Sequence, residues 1–298
     1  MFFQQLVNGI TLGSIYALFA LGYTMVYGIL LMINFAHSEI FMVGAYLGFW
    51  ALSLLPVWVQ GWTPGYFTLV FAIAMMGAGL LAVTIERVAY RPLRRASRLA
   101  PLISAIGVSI FLQNLIQVTV SAQSQPYPDT FKISHYEFFG VQVNSLQIFI
   151  FALAISAMVL LQVFITKTRL GKAMRATAQN HTVSQLMGIN VNFIITVTFL
   201  IGGALGGLAG VLNGMYYGSI KFNMGFFPGL KAFTAAVVGG IGNIKGAMVG
   251  GFLLGIIEAL TVGYISSAYK DVILFAVLIL VLIFRPSGIF GEEVTEKT

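Results

Sequence analysis

Long apolar stretches alternate with short polar connections along most of the 298 residues of the chain. A helix needs about 20 apolar residues to cross the hydrocarbon core of a membrane, and most of the stretches approach or exceed that length. Nine can be distinguished: Leu6–Met32, Ile40–Leu55, Tyr66–Ile85, Ala100–Val120, Leu146–Ile165, Phe193–Met215, Lys231–Gly242, Ala247–Tyr264 and Val272–Phe284. The pattern predicts an all-α polytopic membrane protein with about eight to nine transmembrane helices, eight if one short stretch forms a broken or re-entrant helix.

Composition favours a single membrane domain over residues 1–298. Hydrophobic residues make up 58% of the chain and charged residues 8%, whereas soluble domains carry roughly 25% charged residues. The sequence contains no cysteine and three scattered histidines, so it offers neither disulfides nor the ligand spacing of a metal site. We therefore predict that this chain itself binds no metal and no cofactor.

Basic residues are concentrated in two of the polar connections. Of 16 Lys and Arg residues, nine lie there: Arg87, Arg91, Arg94, Arg95 and Arg98, then Lys167, Arg169, Lys172 and Arg175. Lys and Arg beside membrane spans mark cytoplasmic loops, which explains the net charge of +7 better than binding of nucleic acid does. We predict cytoplasmic loops at about 86–99 and 166–192, an external loop at about 121–145 and a cytoplasmic tail at 286–298. Nine crossings would place the N-terminus outside, and eight would place it inside.

Two groups of glycines recur at intervals of four residues. They are Gly202, Gly206 and Gly210, then Gly242, Gly246 and Gly250. Small residues let helix backbones approach closely in a membrane, where apolar burial alone does not drive helices together. We expect these glycines to pack helices within the subunit or, alternatively, to form a subunit interface.

A polar segment containing Asn34, His37 and Glu39 interrupts the first apolar region. Polar groups at membrane depth persist only where they are buried in protein or line a wet cavity. One interpretation is a broken helix whose three polar side chains face a translocation path. The other is a short interfacial turn between two helices, and the residues alone favour neither.

Two further carboxylates lie within or beside apolar stretches. Glu258 has apolar neighbours on both sides, so it must pair, protonate or face water. It is either a polar contact or proton site in the path, or a buried acid hydrogen-bonded to a neighbouring helix. Glu86 directly precedes Arg87 at the start of a basic connection, and we expect an interfacial ion pair there.

The second basic connection contains a short amphipathic segment. Leu170, Met174 and Ala178 recur every four residues, which predicts one apolar face of a helix with the charged residues off that face. Such a helix either lies on the membrane surface or docks into another protein.

Known catalytic and nucleotide-binding patterns are absent from the sequence. The chain has no GxxxxGK[ST] phosphate loop, no HExxH zinc motif and no calcium-binding loop of the EF-hand type. It also lacks the GxSxG pattern of a nucleophile elbow. We therefore predict that the chain is not an enzyme and carries no ATP-binding motif.

Nine short segments, spread over almost the whole chain, keep the order and spacing of a known family. They are Gly9–Leu18, Gly22–Gly28, Ile33–His37, Glu86–Leu93, Ile103–Gly107, Arg175–Gly188, Lys231–Val237, Gly239–Gly242 and Arg285–Ile289. In these segments the chain resembles the LivH-type permease subunits of ATP-binding cassette importers for branched-chain amino acids.

The resemblance implies a subunit of the bacterial inner membrane that contacts lipid and forms the translocation path with a second, LivM-like permease. Two cytoplasmic ATPase subunits would bind ATP and Mg²⁺. A periplasmic amino-acid-binding protein would deliver leucine, isoleucine or valine. The alternatives are a gradient-driven secondary transporter or channel for amino acids, and an importer of urea or short amides.

The resemblance also implies a role for the second basic connection. In such importers a cytoplasmic loop of the permease, ending near a glycine, sits in a groove of the ATPase. The residues implied in this coupling are Arg169, Gly171, Met174, Arg175, Ala176, Asn180, Leu186, Met187 and Gly188.

Overall fold

The computed structural model describes residues 1–291 apart from positions 33, 55–62, 95, 98, 129–130, 132 and 139. Predictions that concern Ile33, Leu55, Arg95, Arg98 and the tail at 292–298 lie outside the described residues. Eleven α-helices make up most of the rest: α1 (Phe2–Leu30), α2 (His37–Leu54), α3 (Thr63–Ile85), α4 (Leu99–Thr119), α5 (Ser145–Lys167), α6 (Arg169–Gln179), α7 (His181–Leu186), α8 (Val191–Tyr217), α9 (Phe226–Gly239), α10 (Ile244–Tyr264) and α11 (Lys270–Phe284).

The prediction of an all-α polytopic membrane protein is confirmed. Within the described residues, seven helices are long and apolar enough to cross a membrane, namely α1, α3, α4, α5, α8, α10 and α11 with their flanking turns. The two remaining apolar stretches form α2, of 18 residues, and the shorter apolar helix α9, of 14 residues. The nine stretches of the sequence therefore correspond to nine apolar helices.

Helix α1 lies at the centre of the bundle although it comes first in the chain. From Leu12 to Val26 its residues are buried on every side, and it contacts α5, α8, α9 and α10. A helix that is buried all round needs no amphipathic pattern, and the uniformly apolar sequence of α1 fits that position. By contrast, most of α4 and α11 is exposed on the outside of the bundle.

Glycines on one face of α8 bring it against α1 and α2. A Cβ atom at Gly202 would lie 3.2 Å from a backbone oxygen of α1, and one at Gly206 would lie 3.2 Å from Cε1 of His37. At Gly210 an added Cβ would meet the backbone of α2 at Phe41. Adjacent glycines on α8 allow the same close approach to α3. Helix α8 thus packs closely against α1, α2 and α3 because its glycines have no side chains.

Helix α10 uses glycines in the same way. Gly246 and Gly250 lie against the backbone of α9, and Gly251 and Gly255 lie against the backbone of α1. Gly242 differs from the expectation, because it precedes α10 in a turn with φ +93°. A regular spacing in the sequence does not reveal where the helix begins, so Gly242 belongs to the turn and not to the packing face.

The described basic residues of the two basic connections gather at one end of the bundle, which we call the basic end. Arg94 Nη1 donates to Asn192 Oδ1 at 2.8 Å, joining the connection after α3 to the start of α8. His181 of α7 lies 2.8 Å from the carbonyl oxygen of Ile29 at the end of α1. Both predicted cytoplasmic connections therefore share this end.

The start of α1 lies at the opposite end. Gln4 and the backbone of Gln142 exchange two hydrogen bonds of 2.9 Å, so the N-terminus accompanies the segment that we predict to be external. This arrangement corresponds to the alternative with nine crossings.

Short strands in this external segment were not predicted from the sequence. Strand β1 (Gln125–Pro126) pairs antiparallel with β4 (Ser219–Ile220) after α8, and β2 (His135–Phe138) pairs with β3 (Val141–Asn144). Between the two ladders the ring of Tyr127 is buried against α2 and α8. The external segment is thereby held on the ends of the helices.

We expect Gly210→Leu to lower the thermal stability of the subunit strongly, because a side chain there would meet the backbone of α2, which cannot rotate away. Even modest overpacking of a tight core costs about 1–3 kcal/mol. Gly107→Leu in α4 is the matched control, since nothing lies within 4 Å of a Cβ atom at Gly107. Melting temperatures of both variants in detergent check this, and equal stability of the two would contradict it.

Candidate functional site

The connection between α1 and α2 buries three polar residues. After α1 the chain turns at Leu31, the one described residue other than glycine with a positive φ, of 52°, and α2 begins at His37. Asn34, His37 and Glu39 are all buried around this start. The phenol of Tyr90 donates to Asn34 Oδ1 at 2.5 Å. The helical region is therefore interrupted inside the protein, and the hydrogen bond from Tyr90, in the turn that follows α3, holds the interruption in place.

Glu39 accepts three hydrogen bonds through one of its two carboxylate oxygens. Oε1 receives the hydroxyls of Ser38 and Ser109, each at 3.0 Å, and the amide of Gln113 at 2.8 Å. The other oxygen, Oε2, has no hydrogen-bond partner among the described residues. No described Lys, Arg or His forms a salt bridge with Glu39 either. A fully buried carboxylate thus has no partner cation in the part of the chain that the structure describes.

His37 packs as an aromatic side chain of the core. Its ring centroid lies 4.8 Å from that of Tyr23 and 5.4 Å from that of Phe19. Its Nε2 atom has no hydrogen-bond partner among the described residues, and its ring faces the glycines Gly22 and Gly206. His37 therefore fills the space that these two glycines leave between α1 and α8.

A cavity of about 390 Å³ adjoins the Glu39 network. Its polar wall is formed by Ser38, Ser109 and Gln113, the same three residues that donate to Glu39. The other walls are mainly apolar and come from α1, α4, α9 and the connection before α2. Ile106 and Ile110 of α4 line the cavity and are also exposed on the outside of the subunit. The cavity therefore reaches the side of the bundle.

Glu258 belongs to a separate ionic cluster. Its Oε1 accepts from Lys231 Nζ at 2.7 Å and its Oε2 accepts from the phenol of Tyr16 at 2.8 Å. Lys231 Nζ also lies 2.9 Å from Asp271 Oδ1. Lys270 Nζ is 4.0 Å from the Glu258 carboxylate, beyond hydrogen-bond range.

This cluster favours one of the interpretations that the sequence left open for Glu258. The carboxylate is paired and hydrogen-bonded across α1, α9 and α10, and it is not grouped with Asn34, His37 and Glu39. Lys231 was not predicted from the sequence as its partner. The available signal was a second ionisable residue inside an apolar stretch, which is rare without a counter-charge.

Glu86 pairs with a residue other than the expected one. Its carboxylate forms a salt bridge with Arg94 and accepts from Thr196 Oγ1 at 3.1 Å. The ion pair expected at Glu86 therefore forms, but with Arg94 and not with the adjacent Arg87, because adjacent residues of a helix do not face each other. A π-helical turn at Glu86–Tyr90 and a 3₁₀ turn after it bring the chain round so that Arg94 meets Glu86.

At the basic end, α6 packs against the end of α5 through Gly171. The hydroxyl of Thr168 caps α6 by accepting from the Gly171 backbone at 3.0 Å, and a Cβ atom at Gly171 would meet the α5 backbone at Ile165. The buried face of α6 consists of Gly171, Met174 and Thr177.

The apolar face predicted for this helix is therefore offset. Met174 is buried as expected, but Leu170 and Ala178 are exposed. The offset arises because Gly171 makes the closest contact of α6, and a glycine does not contribute to a periodic pattern of apolar side chains.

Helix α7 presents exposed apolar side chains at the basic end. Leu186 and Met187 are 82% and 78% exposed, and Gly188 follows with φ +80°. Asn180 connects α6 to α7 and caps α7 by accepting from the Val183 backbone at 3.0 Å. Two of the other residues implied in coupling, Arg169 and Arg175, are exposed on α6, and Ala176 is half-buried.

The fold and its buried polar groups define a multi-pass membrane protein. A model of the family described as branched-chain amino acid transport system / permease component matches residues 5–282. The chain belongs to this family.

Full-length relatives carry the same description. The chain is 49% identical over 300 residues to the high-affinity branched-chain amino acid transport system permease protein BraD of Pseudomonas aeruginosa, covering 99% of this chain and 98% of that protein. It is 48% identical over 304 residues to the corresponding permease protein LivH of Escherichia coli K12, covering 99% and 97%.

A solved structure supports the fold alone. PsaBC from Streptococcus pneumoniae in complex with a Fab matches 95% of this chain and 91% of that chain with a TM-score of 0.50. The sequence identity is 15%.

We expect Lys231→Met to destabilise the subunit, because it leaves the buried Glu258 carboxylate with Lys270, at 4.0 Å and beyond hydrogen-bond range, as its nearest described cation. Removal of one partner of a buried ion pair costs about 3–5 kcal/mol. Glu258→Gln alone should be milder, since Lys231 keeps Asp271 at 2.9 Å. The double variant should recover most of the stability lost in Lys231→Met. Melting temperatures in detergent measure all three, and a double variant no more stable than Lys231→Met would contradict the pairing.

Proposed function

We propose that this chain is a membrane-spanning permease subunit of an ATP-driven importer for branched-chain amino acids, with leucine, isoleucine and valine as substrates. The observation that carries the proposal is its identity of 49% and 48%, over 99% of its length, to permease proteins of high-affinity branched-chain amino acid transport systems. The likeness includes every helix described above, so it does not depend on a single motif.

The subunit works with partners that supply what its sequence lacks. The chain has no phosphate-binding loop, so two cytoplasmic ATPase subunits bind ATP and Mg²⁺. A second, LivM-like permease completes the translocation path, and a periplasmic amino-acid-binding protein delivers the substrate. The complex lies in the bacterial inner membrane.

The basic end faces the cytoplasm in this proposal. Support comes from the gathering of Lys and Arg beside the spans, which is typical of cytoplasmic loops. The start of α1 and the strands β1 to β4 then face the periplasm, where the binding protein docks.

Coupling to ATP hydrolysis occurs through α6 and α7. Helix α6 contacts α1, α5 and α8, so a displacement of the pair reaches three helices of the bundle directly. The exposed Leu186 and Met187 form the apolar surface for the ATPase, and the exposed Arg169 and Arg175 add positive charge beside it.

The translocation path passes near Asn34, His37 and Glu39. Their burial around an interrupted helix supports this placement, since irregular backbone at membrane depth is tolerated where it is enclosed by protein. Glu258 contributes to the same bundle through its ion pair with Lys231, which speaks against a role as an obligatory proton carrier.

Uptake into proteoliposomes tests the function. We expect vesicles that contain the chain, a LivM-like permease and the two ATPases to accumulate labelled leucine only when ATP and the binding protein are both present. Collapse of ion gradients should leave this uptake intact. Gradient-driven uptake by the purified chain alone would instead identify a secondary transporter, and uptake of urea or short amides but not leucine would identify a different importer.

Cysteine crosslinking tests the coupling surface cleanly, because the native chain has no cysteine. We expect Leu186→Cys and Met187→Cys to crosslink to an ATPase subunit in the assembled complex. Tyr136→Cys at the opposite end, where Tyr136 is also exposed, is the control and should not. If no exposed position of α6 and α7 crosslinks to an ATPase subunit, the two helices lie on the membrane surface and do not form the coupling contact.

Gly188 tests the mechanism of coupling. Its φ of +80° suits glycine, is tolerated by asparagine and is strained for β-branched residues. We expect Gly188→Val to reduce leucine uptake while the binding protein retains its affinity for leucine, and Gly188→Asn to preserve uptake. Nothing lies within 4 Å of a Cβ atom at this position, so equal loss in both variants would indicate that bulk matters and not backbone conformation.

A further inference from the structure

Two buried carboxylates of the bundle differ in how their charge is compensated. Glu258 has Lys231 at 2.7 Å. Glu39 is completely buried, yet it has no salt-bridge partner among the described residues, and its Oε2 has no hydrogen-bond partner there. A carboxylate in a low-dielectric interior is stable only with a cation or as the protonated acid. Among the described residues no cation balances Glu39, so its charge is left to a proton or to a group from outside them.

The space beside Glu39 is suited to a small amphiphilic molecule. The cavity of about 390 Å³ meets the carboxylate through the three residues that hold Oε1. Oε2 is 3.4 Å from the position of a Cβ atom at Gly225, directly before α9. Phe226 and Leu230 of α9 also line the cavity. Negative charge behind the polar wall is thus combined with hydrophobic side chains at the other walls.

The proposed substrates carry complementary groups. A branched-chain amino acid has one ammonium group and one aliphatic side chain, which match the carboxylate and the apolar walls. Small-molecule sites typically combine a mostly hydrophobic lining with a few well-placed polar groups. The cavity volume falls within the range of about 300–1,000 Å³ that such sites occupy.

We propose that this cavity is a transient binding site for the transported amino acid, in which the ammonium group lies at the polar wall of Ser38, Ser109 and Gln113. The charge of Glu39 behind that wall is its counter-charge, and the apolar walls receive the side chain. The inference rests on the proposed function, because the substrate class comes from it. Ser38, Ser109 and Gln113 are positioning residues that hold the carboxylate behind the polar wall. The opening beside Ile106 and Ile110 leads to the side of the subunit, where the second permease completes the site.

Protection from thiol labelling tests the site without transport. Ile110→Cys places a reactive group at the cavity wall, and Phe111→Cys, on the exposed face of the same helix, is the matched control. The assembled complex without binding protein is treated with a small thiol reagent in the presence of leucine or of 4-methyl-2-oxopentanoate, the analogue that lacks the ammonium group. We expect leucine, and not the keto acid, to slow modification of Ile110→Cys several-fold and to leave Phe111→Cys unaffected.

Glu39 variants test the charge. Glu39→Gln keeps the size and removes the charge behind the polar wall, and the Coulomb attraction between two unit charges a few ångströms apart in a partly buried site is worth enough to weaken binding about tenfold when it is lost. We expect protection by leucine to be lost in Glu39→Gln combined with Ile110→Cys and to be partly retained with Glu39→Asp. ATP-driven leucine uptake should fall by a similar factor in Glu39→Gln.

Several outcomes would overturn the proposal. Equal protection by leucine and the keto acid would mean that Glu39 does not bind the ammonium group. Absence of protection by leucine, or a cysteine at position 110 that is blocked with and without leucine, would mean that a partner subunit or lipid fills the cavity. If Glu39→Gln fails to assemble, the comparison of leucine with the keto acid in Ile110→Cys, where Glu39 is intact, still tests the proposal. Absence of ATP-driven uptake in the unmodified complex would instead refute the proposed function itself.

Discussion

Direct contact between helix backbones is the interaction on which this bundle depends. Lipid tails are as apolar as leucine side chains, so helices in a membrane gain stability from close packing and polar contacts more than from burial itself. In this chain, glycines of α8 and α10 remove the side chains that would keep backbones apart. Gly210 and Gly250 each lie against the backbone of a neighbouring helix. Because these contacts set the helix spacing, they also fix the space in which His37 and Glu39 are held.

The close packing explains why two of the buried acids, Glu258 and Glu39, behave differently. Glu258 sits where α1, α9 and α10 meet, and Lys231 on α9 compensates its charge within the chain. Glu39 sits where α2 meets α4, at the side of the bundle, and its neighbours Ser109 and Gln113 supply hydrogen bonds but no positive charge. A charge that is balanced inside the subunit contributes to folding, whereas one that is left unbalanced is available to a ligand. Whether a neighbouring cation compensates the charge of each acid thus distinguishes a structural acid from a functional one more clearly than the burial of the acid does.

The sequence predicted the helices well and their partners poorly. Each apolar stretch forms a helix whose ends agree with those of the stretch to within a few residues. This follows because a run of apolar residues long enough to cross a membrane is visible directly in the hydropathy of the sequence. Contacts between distant residues have no such local signal, which is why the pairing of Glu86 with Arg94 and the ladder between β1 and β4 were missed. The break at Asn34 was recognised because polar residues interrupt an apolar region. Gly242 and the face of α6 were misplaced because periodicity does not report where a helix begins or that Gly171 makes its closest contact.

The central position of α1 has a consequence for the way the protein is made. Helix α1 is synthesised before the other described helices, yet three of the helices that enclose it, α8, α9 and α10, are synthesised late, with α11 following them. Until they arrive, Tyr16 has no access to Glu258 and the glycines of α1 face lipid or other protein. Helix α1 therefore lacks most of its packing partners in the bilayer until nearly the whole chain has been inserted, and it is fully enclosed only once α10 is in place. Insertion of this subunit therefore begins with its most enclosed helix, and the packing around that helix is completed only after α10 has been inserted.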